Sequence, residues 1–258
     1  MPEAHEPALH ATARAFGGVA EAYERGRPGY PAEAVAWLAS ALELAPGRTV
    51  ADVGAGTGKL AAALAGAGAR VLAVEPLDAM RALIPRTVTA LAGAAEALPI
   101  ADGAVDAITA ATAMHWFDLP RALAEFRRVL QPEGRLAVLW NSRDERDPVQ
   151  ARIGEIMQPA RGSTPTHSSE TWREALPAAG FAQAGQRSFR FVHELDRAGL
   201  VQRVASVSFV AALPEDRREP LLDEVRALAA GLPEPIPLPT ITQVHVFRLS
   251  AARGTAAR

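Results

Sequence analysis

Along the first half of the chain the apolar positions change their spacing in a regular way. Thr12 to Ala22 reads as a helix, and Tyr23 to Pro31 as a turn-rich segment punctuated by Gly26, Pro28, Gly29 and Pro31. After Pro31 the residues Val35, Leu38, Leu42 and Leu44 give a second helix one apolar side, and a proline suits its first turn. From Arg48 short apolar runs alternate with helical spacings. Strands are expected at Thr49 to Val53, Arg70 to Val74, Val88 to Ala92, Val105 to Ala110 and Arg135 to Trp140. The intervening helices are expected at Lys59 to Ala67, Asp78 to Ile84 and Pro120 to Leu130. Breakers fall where connections are needed, at Gly66 to Gly68, Pro99 to Gly103 and Gln131 to Gly134. This alternation predicts an α/β fold, a mainly parallel sheet with helices on both faces.

Beyond Asn141 the pattern loosens. Ser142 to Asp147 is a charged run and Arg161 to Ser169 a polar loop. Thr171 to Gly180 reads as a helix, Phe189 to Leu195 as a strand, and Asp196 to Ser208 and Pro214 to Ala230 as helices. Gly231 to Pro239 reads as a proline-rich turn before a last strand at Ile241 to Leu249, and Ser250 to Arg258 as a frayed tail. No period repeats along the chain.

Composition narrows the picture. With 258 residues, 49% of them hydrophobic and 22% charged, the chain suits one sizeable core with elaborations rather than two full domains. A net charge of −2 provides no general positive field for a nucleic-acid backbone or an anionic bilayer, and neither partner is expected. There is no cysteine, which removes disulfides, thiolate nucleophiles and cysteine-ligated metals together. Met1 to Ala15 lacks the basic start and apolar run of a secretory signal, and no stretch is long and apolar enough to span a bilayer, so a cytoplasmic location is expected. His167, His193 and His245 lack the near spacing of a metal site, and no metal is expected.

The densest chemical signal is Val50-Ala51-Asp52-Val53-Gly54-Ala55-Gly56-Thr57-Gly58-Lys59, a strand running through a glycine turn into a helix. Glycines there allow positive φ and close approach of a ligand, with unpaired N–H groups facing it. A mononucleotide P-loop would need glycine at Val53 and a hydroxyl at Leu60, and it has neither. A dinucleotide turn would need its third glycine at Lys59, whereas Gly58 falls one place earlier. Glu75, closing the next strand, can accept two hydrogen bonds from a ribose diol, which points to a ribose without choosing the cofactor.

The spacing acidic-x-Gly-x-Gly-x-Gly resembles the first motif of Rossmann-like S-adenosylmethionine-dependent methyltransferases. The likeness runs in order from about residue 10 to 141 and is similar to the small-molecule branch that includes trans-aconitate-type enzymes. Phe16 to Pro31 matches its N-terminal segment, Glu75-Pro76 with Met80 its ribose-and-adenine segment, and Gly93-Ala94-Ala95-Glu96 its adenine-side turn. Asp106 to Asp118, with His115-Trp116-Phe117, matches the block around the fourth strand, and Arg128 to Asn141 completes the match. Glu133 stands where glycine is more usual, and Ala111-Thr112-Ala113-Met114 stands where relatives often carry a glutamine.

The resemblance implies a doubly wound domain over residues 1–258. Residues 1–47 would cover the cofactor, 48–141 would bind it, 142–239 would supply a helical substrate cap and complete the sheet, and 240–249 would form the final strand. It implies S-adenosylmethionine as cofactor, bound by Tyr23, Arg27, Asp52, Gly54, Gly56, Gly58, Glu75, Pro76, Met80, Ala95, Glu96 and Ala110. Arg27 is the candidate for the methionyl carboxylate, and Asp52 for the amine or for orienting the turn. Tyr30, Trp116, Asn141 and Arg143 are candidates for contact with a small-molecule acceptor. His115, whose imidazole titrates near neutrality, is the candidate base, with a structural role in its loop as the alternative. The implied reaction is methyl transfer, oxygen and in particular carboxylate being slightly favoured as acceptor. A dinucleotide oxidoreductase and a non-catalytic binding protein are the competing functions.

Overall fold

The computed structural model describes residues 11–165 and 171–250. A seven-stranded sheet forms its centre, built from β1 (Thr49–Val53), β2 (Arg70–Val74), β3 (Thr89–Leu91), β4 (Val105–Ala111), β5 (Leu130–Arg143), β6 (Phe181–Leu195) and β7 (Ile236–Leu249). The order across the sheet is β3-β2-β1-β4-β5-β7-β6. The first five strands are parallel, and β7 runs antiparallel between β5 and β6. The order reverses between β1 and β4, so a crevice opens at the carboxyl ends of these strands, where open α/β sheets bind ligands.

The helices are α1 (Ala11–Arg14), α2 (Ala20–Gly26), α3 (Ala32–Ala41), α4 (Lys59–Gly66), α5 (Asp78–Arg81), α6 (Leu119–Val129), α7 (Pro148–Met157), α8 (Thr171–Ala178), α9 (Arg197–Ala205), α10 (Ser208–Ala211) and α11 (Glu215–Ala230). Three of them start on an aspartate whose carboxylate takes a first-turn N–H: Asp118 from Arg121, Asp147 from Gln150 and Asp196 from Gly199. None of the described helices is long and apolar enough to cross a membrane.

Strand side chains alternate between two cores. Ala51, Val53, Ile108, Ala110, Leu136, Val138 and Trp140 point to one face, beneath α6 and α8. Val50, Val71, Ala73, Ala107, Ala137 and Leu139 point to the other, beneath α3 and α4. A third core joins α7, α9, α10 and α11 to Ile236 and Leu238 at the start of β7, and this is the cap.

Several boundaries differ from those the pattern predicts, for physical reasons. The expected helix Thr12 to Ala22 breaks into α1, a 3-10 stretch Ala15–Val19 and α2, because Gly17 and Gly18 interrupt it; α2 then runs on to Gly26 and carries Tyr23 on a helix. Asp78 to Ile84 yields only α5, and Asp196 to Ser208 divides into α9 and α10. The break at Gln131 to Gly134 lies inside β5, as an irregularity opposite β4 with Glu133 at φ 62°. β6 begins eight residues before Phe189, since an edge strand with polar faces hides its alternation. β7 begins at Ile236 in spite of Pro237 and Pro239. Its pairing with β5 stops at Thr240, so along 236–239 only β6 lies beside it, and a missing N–H on the open side breaks no ladder. The helix α7 was not foreseen, although Asp147-Pro148 followed by Val149, Ile153, Ile156 and Met157 carries both a start signal and an apolar side. His167 and the tail from 251 lie outside the described residues.

Candidate functional site

The glycine turn is shaped by positive φ at all three glycines, 68° at Gly54, 59° at Gly56 and 83° at Gly58. The N–H groups of Gly54 and Ala55 both donate to Val74 O, which pins the turn against β2. A β-carbon on Gly54 would stand 2.8 Å from that of Ala113, so this position is closed to any side chain. Glu75 follows β2 and is 5% exposed. One carboxylate oxygen takes the Gly56 N–H at 2.8 Å and the other the Leu77 N–H at 3.0 Å. Burial raises its pKa, and these two bonds pull the other way. Each oxygen keeps a further acceptor site for a diol.

Asp52 lies beneath the turn and is 1% exposed. It accepts a 2.7 Å bond from the Thr109 hydroxyl, and the Ala61 N–H in the first turn of α4 also steadies it. Burial pushes its pKa up to about 7 against those bonds. The folded state therefore holds a proton that the unfolded chain releases near pH 4, and stability falls as pH rises from about 4 to about 7, by ~1.4 kcal/mol per pH unit at most. Asp52→Asn removes this dependence. In urea titrations at pH 5 and pH 8, the variant is expected to gain on the wild type toward pH 8; parallel behaviour of the two would refute the assignment.

A cavity of about 720 Å³ extends from the turn to the cap. Its floor carries Thr112 at φ 54°, a conformation rare for a β-branched residue, held by its N–H to Leu139 O at 2.8 Å. Phe16 packs edge-on to Tyr23 and to Trp116, at ring separations of 5.7 and 6.1 Å, and Trp116 leans on His115 at 4.5 Å. These rings form one wall. The Arg27 guanidinium lies 5.2 Å from the Tyr23 ring centre and donates to the hydroxyl and carbonyl of Ser206 in the cap. Lys59, the chain's one lysine, donates to the carbonyl and carboxylate of Glu24 and so ties α4 to α2.

A family model for a methyltransferase domain matches residues 51–138, the run of parallel strands that carries the turn. An uncharacterized methyltransferase of Mycobacterium tuberculosis is 42% identical over 222 residues, 84% of this chain and 86% of its own. The chain belongs to the class I S-adenosylmethionine-dependent methyltransferases. An uncharacterized methyltransferase-like protein of Schizosaccharomyces pombe is 32% identical over 216 residues, covering 82% of this chain and 84% of its own. The methyltransferase also superposes on the solved structure of an Anaeromyxobacter dehalogenans protein assigned as a type II methyltransferase, with a TM-score of 0.64 and 28% identity over 87% of this chain and 98% of that one.

The methyltransferase brings most of the expected residues to one cavity. Tyr23, Arg27, Gly54, Gly56, Glu75, Pro76, Met80, Ala95 and Glu96 line it, as do His115, Trp116, Asn141 and Arg143. Four expected residues do not. Asp52 is sealed below the turn and does not line the cavity, with one oxygen bonded to Thr109 and the other buried without a hydrogen-bond partner. Gly58 caps α4, facing Ile84 and Pro85. Ala110 is fully buried in the core under α6, because its neighbour Ala111 has the cavity-facing phase of β4. Tyr30 packs on the α3 side and bonds Thr112 from behind the floor. Asn141 lines the cavity with its amide already engaged, donating to Gly29 O at 2.9 Å and accepting from the Thr242 hydroxyl at 2.6 Å. Sequence reasoning missed Phe16, Met157, Arg203 and Phe209. Phe16 stands seven residues before Tyr23, a spacing that could have marked it; the cap residues carry no motif.

The site fits the cofactor that the family uses. Glu75 offers the diol two oxygens, Leu77, Met80 and Ala95 offer an aromatic base an apolar slot, and the turn glycines leave the backbone open to approach.

Proposed function

We propose that this methyltransferase transfers the methyl group of S-adenosylmethionine to an oxygen of a small-molecule acceptor, with a carboxylate oxygen favoured. The observation that carries the reading is Glu75, bonded to the glycine turn in a cavity that also holds His115 and continues to Met157, Val207 and Phe209 of the cap. That continuation gives an acceptor apolar surface beyond the cofactor residues. The cofactor supplies an electrophilic methyl on a sulfonium and needs no further activation. The work left to the chain is alignment and exclusion of water, and the Phe16, Tyr23 and Trp116 rings close the wall where water would enter.

His115 fits proton removal from a hydroxyl acceptor, since it lines the cavity with its ring against Trp116. A carboxylate acceptor is ionised already and needs no base. The two cases separate on His115→Ala. A fall of roughly 10²- to 10⁴-fold in kcat is expected for a hydroxyl acceptor, and a change of a few fold at most for a carboxylate.

Calorimetric titration of the purified chain with S-adenosylmethionine, and separately with NAD, tests the cofactor. Saturable binding of the first alone is the expected result. Binding of NAD alone would turn the function into a dinucleotide oxidoreductase on the same fold.

A further inference from the structure

The cap places in the cavity a charge that the cofactor residues leave unused. Arg203 stands on α9, is 7% exposed, and lines the same cavity as Gly56 and His115. Among the described residues its guanidinium makes no hydrogen bond or ion pair, while its main-chain carbonyl takes the Ser206 hydroxyl at 2.9 Å. Burial above all, and then the like charges of Arg27 and Arg143, pull its pKa down to about 9, so it remains a cation at neutral pH. A buried guanidinium facing two others is a strongly unfavourable arrangement unless an anion comes to it.

The carboxylates nearby are committed elsewhere. Glu75 holds the turn, and Glu96 takes the Asp118 N–H at 2.8 Å. Asp144 is held by Arg146. Glu145 lies 3.3 Å from Arg143, but its side chain is 66% exposed and stays mostly in water. Arg143 keeps its Nε buried and unbonded. Arg27 has directed its fork to Ser206. Two guanidiniums therefore retain donors for something the chain does not provide.

We propose that Arg203 and Arg143 form the receiving fork for an anionic group of the acceptor, a carboxylate or a phosphate, that is distinct from the atom that is methylated. An oxyanion gripped by two guanidiniums has its lone pairs engaged and is a poor nucleophile, whereas a second group on the same molecule is left free to face the donor. Fixing the acceptor through a remote charge is how binding energy becomes alignment at the reacting atom. The acceptor class follows: a small molecule with an apolar body, one anionic anchor and a separate nucleophilic oxygen. This rests on the proposed methyl transfer to a small molecule.

The full chain is titrated at low ionic strength with succinate, dimethyl succinate and inorganic phosphate, each with and without S-adenosylhomocysteine. Saturable binding of succinate or phosphate, and none of the neutral diester, is expected; which of the two anions binds more tightly identifies carboxylate or phosphate as the anchor. Arg203→Met is expected to weaken that binding roughly tenfold or more, with Arg203→Lys in between because an ammonium cannot fork. S-adenosylhomocysteine affinity should stay within about twofold in both variants, since Arg203 is placed on the acceptor side. Ligand-free Arg203→Met should also melt above the wild type, the opposite of what a structural strut would do.

The proposal is overturned if neither anion binds the wild type, if Arg203→Met binds them equally well, or if it melts lower. It is overturned too if the variant loses S-adenosylhomocysteine, for then the fork serves the methionyl carboxylate. Failure of S-adenosylhomocysteine to bind the wild type, with the anions behaving as expected, would sink the cofactor reading and leave the fork standing.

Discussion

Glu75→Ala is expected to weaken S-adenosylhomocysteine binding by roughly a hundredfold or more, about 3 kcal/mol, the value of two charge-assisted hydrogen bonds to a diol. The effect has a second source in the protein itself. Glu75 is the only group shown to bridge Gly56 N–H and Leu77 N–H among the described residues, so its removal also frees the turn from the segment that leads into α5 and Met80. Glu75→Gln separates the two contributions. A glutamine has one carbonyl oxygen and cannot serve both N–H groups, so it keeps the packing and loses one tie and the charge. Affinity for the glutamine variant should fall between alanine and wild type, with a melting temperature near that of the wild type. Calorimetry with S-adenosylhomocysteine reads the first, and a thermal melt the second. Wild-type affinity in Glu75→Ala would remove the residue from the cofactor site.

Gly26→Ala is expected to be the most damaging single methyl in the N-terminal segment. A β-carbon there would lie 2.4 Å from Arg203 N and 2.5 Å from its Cα, and backbone cannot yield as a side-chain tip can. The helices α2 and α9 must then part, and with them go Tyr23, the Arg27–Ser206 tie and the position of Arg203. Overpacking of this kind costs about 1–3 kcal/mol, which is a fall of several degrees in Tm for a chain of this size. Cofactor affinity should drop alongside, because Tyr23 and Arg27 move. Gly17→Ala is the control, since a β-carbon there meets nothing within 4 Å and the change should be close to neutral. Equal melting temperatures for the two variants would show that α2 and α9 are not held in this contact.

The parallel strands could be read from the chain because their cores are short apolar runs, and β1 and β2, flanked by glycine or proline, fall on the expected residues. Legibility failed where exposure changes the rules. The edge strand β6 is polar on much of its length, and β7 carries prolines where it pairs on one side only. The same division holds for the site. Gly54, Gly56, Glu75 and the His115-Trp116 pair fall within one ordered run of motifs along the chain and line one cavity. Arg203 and Phe209 reach the cavity through the packing of α9 and α10 against α2 and the Phe16 segment, a relation between distant parts of the chain. Ala110 and Ala111 show how narrow the margin is. One step of strand phase decides which of two identical side chains faces the cavity and which faces the core.

Leu195 and Ile236 are register partners at the tip of the β6–β7 pair. Everything from residue 196 to residue 235, including α9, α10, α11 and Arg203, therefore leaves the sheet and returns to it at a single point. Insertions whose ends lie side by side can be exchanged with little disturbance to the host. The strands that carry the glycine turn and the segment that carries Arg203 are thus joined through one point of the sheet. A graft of residues 196–235 from a relative would replace Arg203 and its neighbours as one unit while Arg143 and the glycine turn stay as they are, provided that the incoming α9 keeps its close contact with Gly26 and its tie to Arg27.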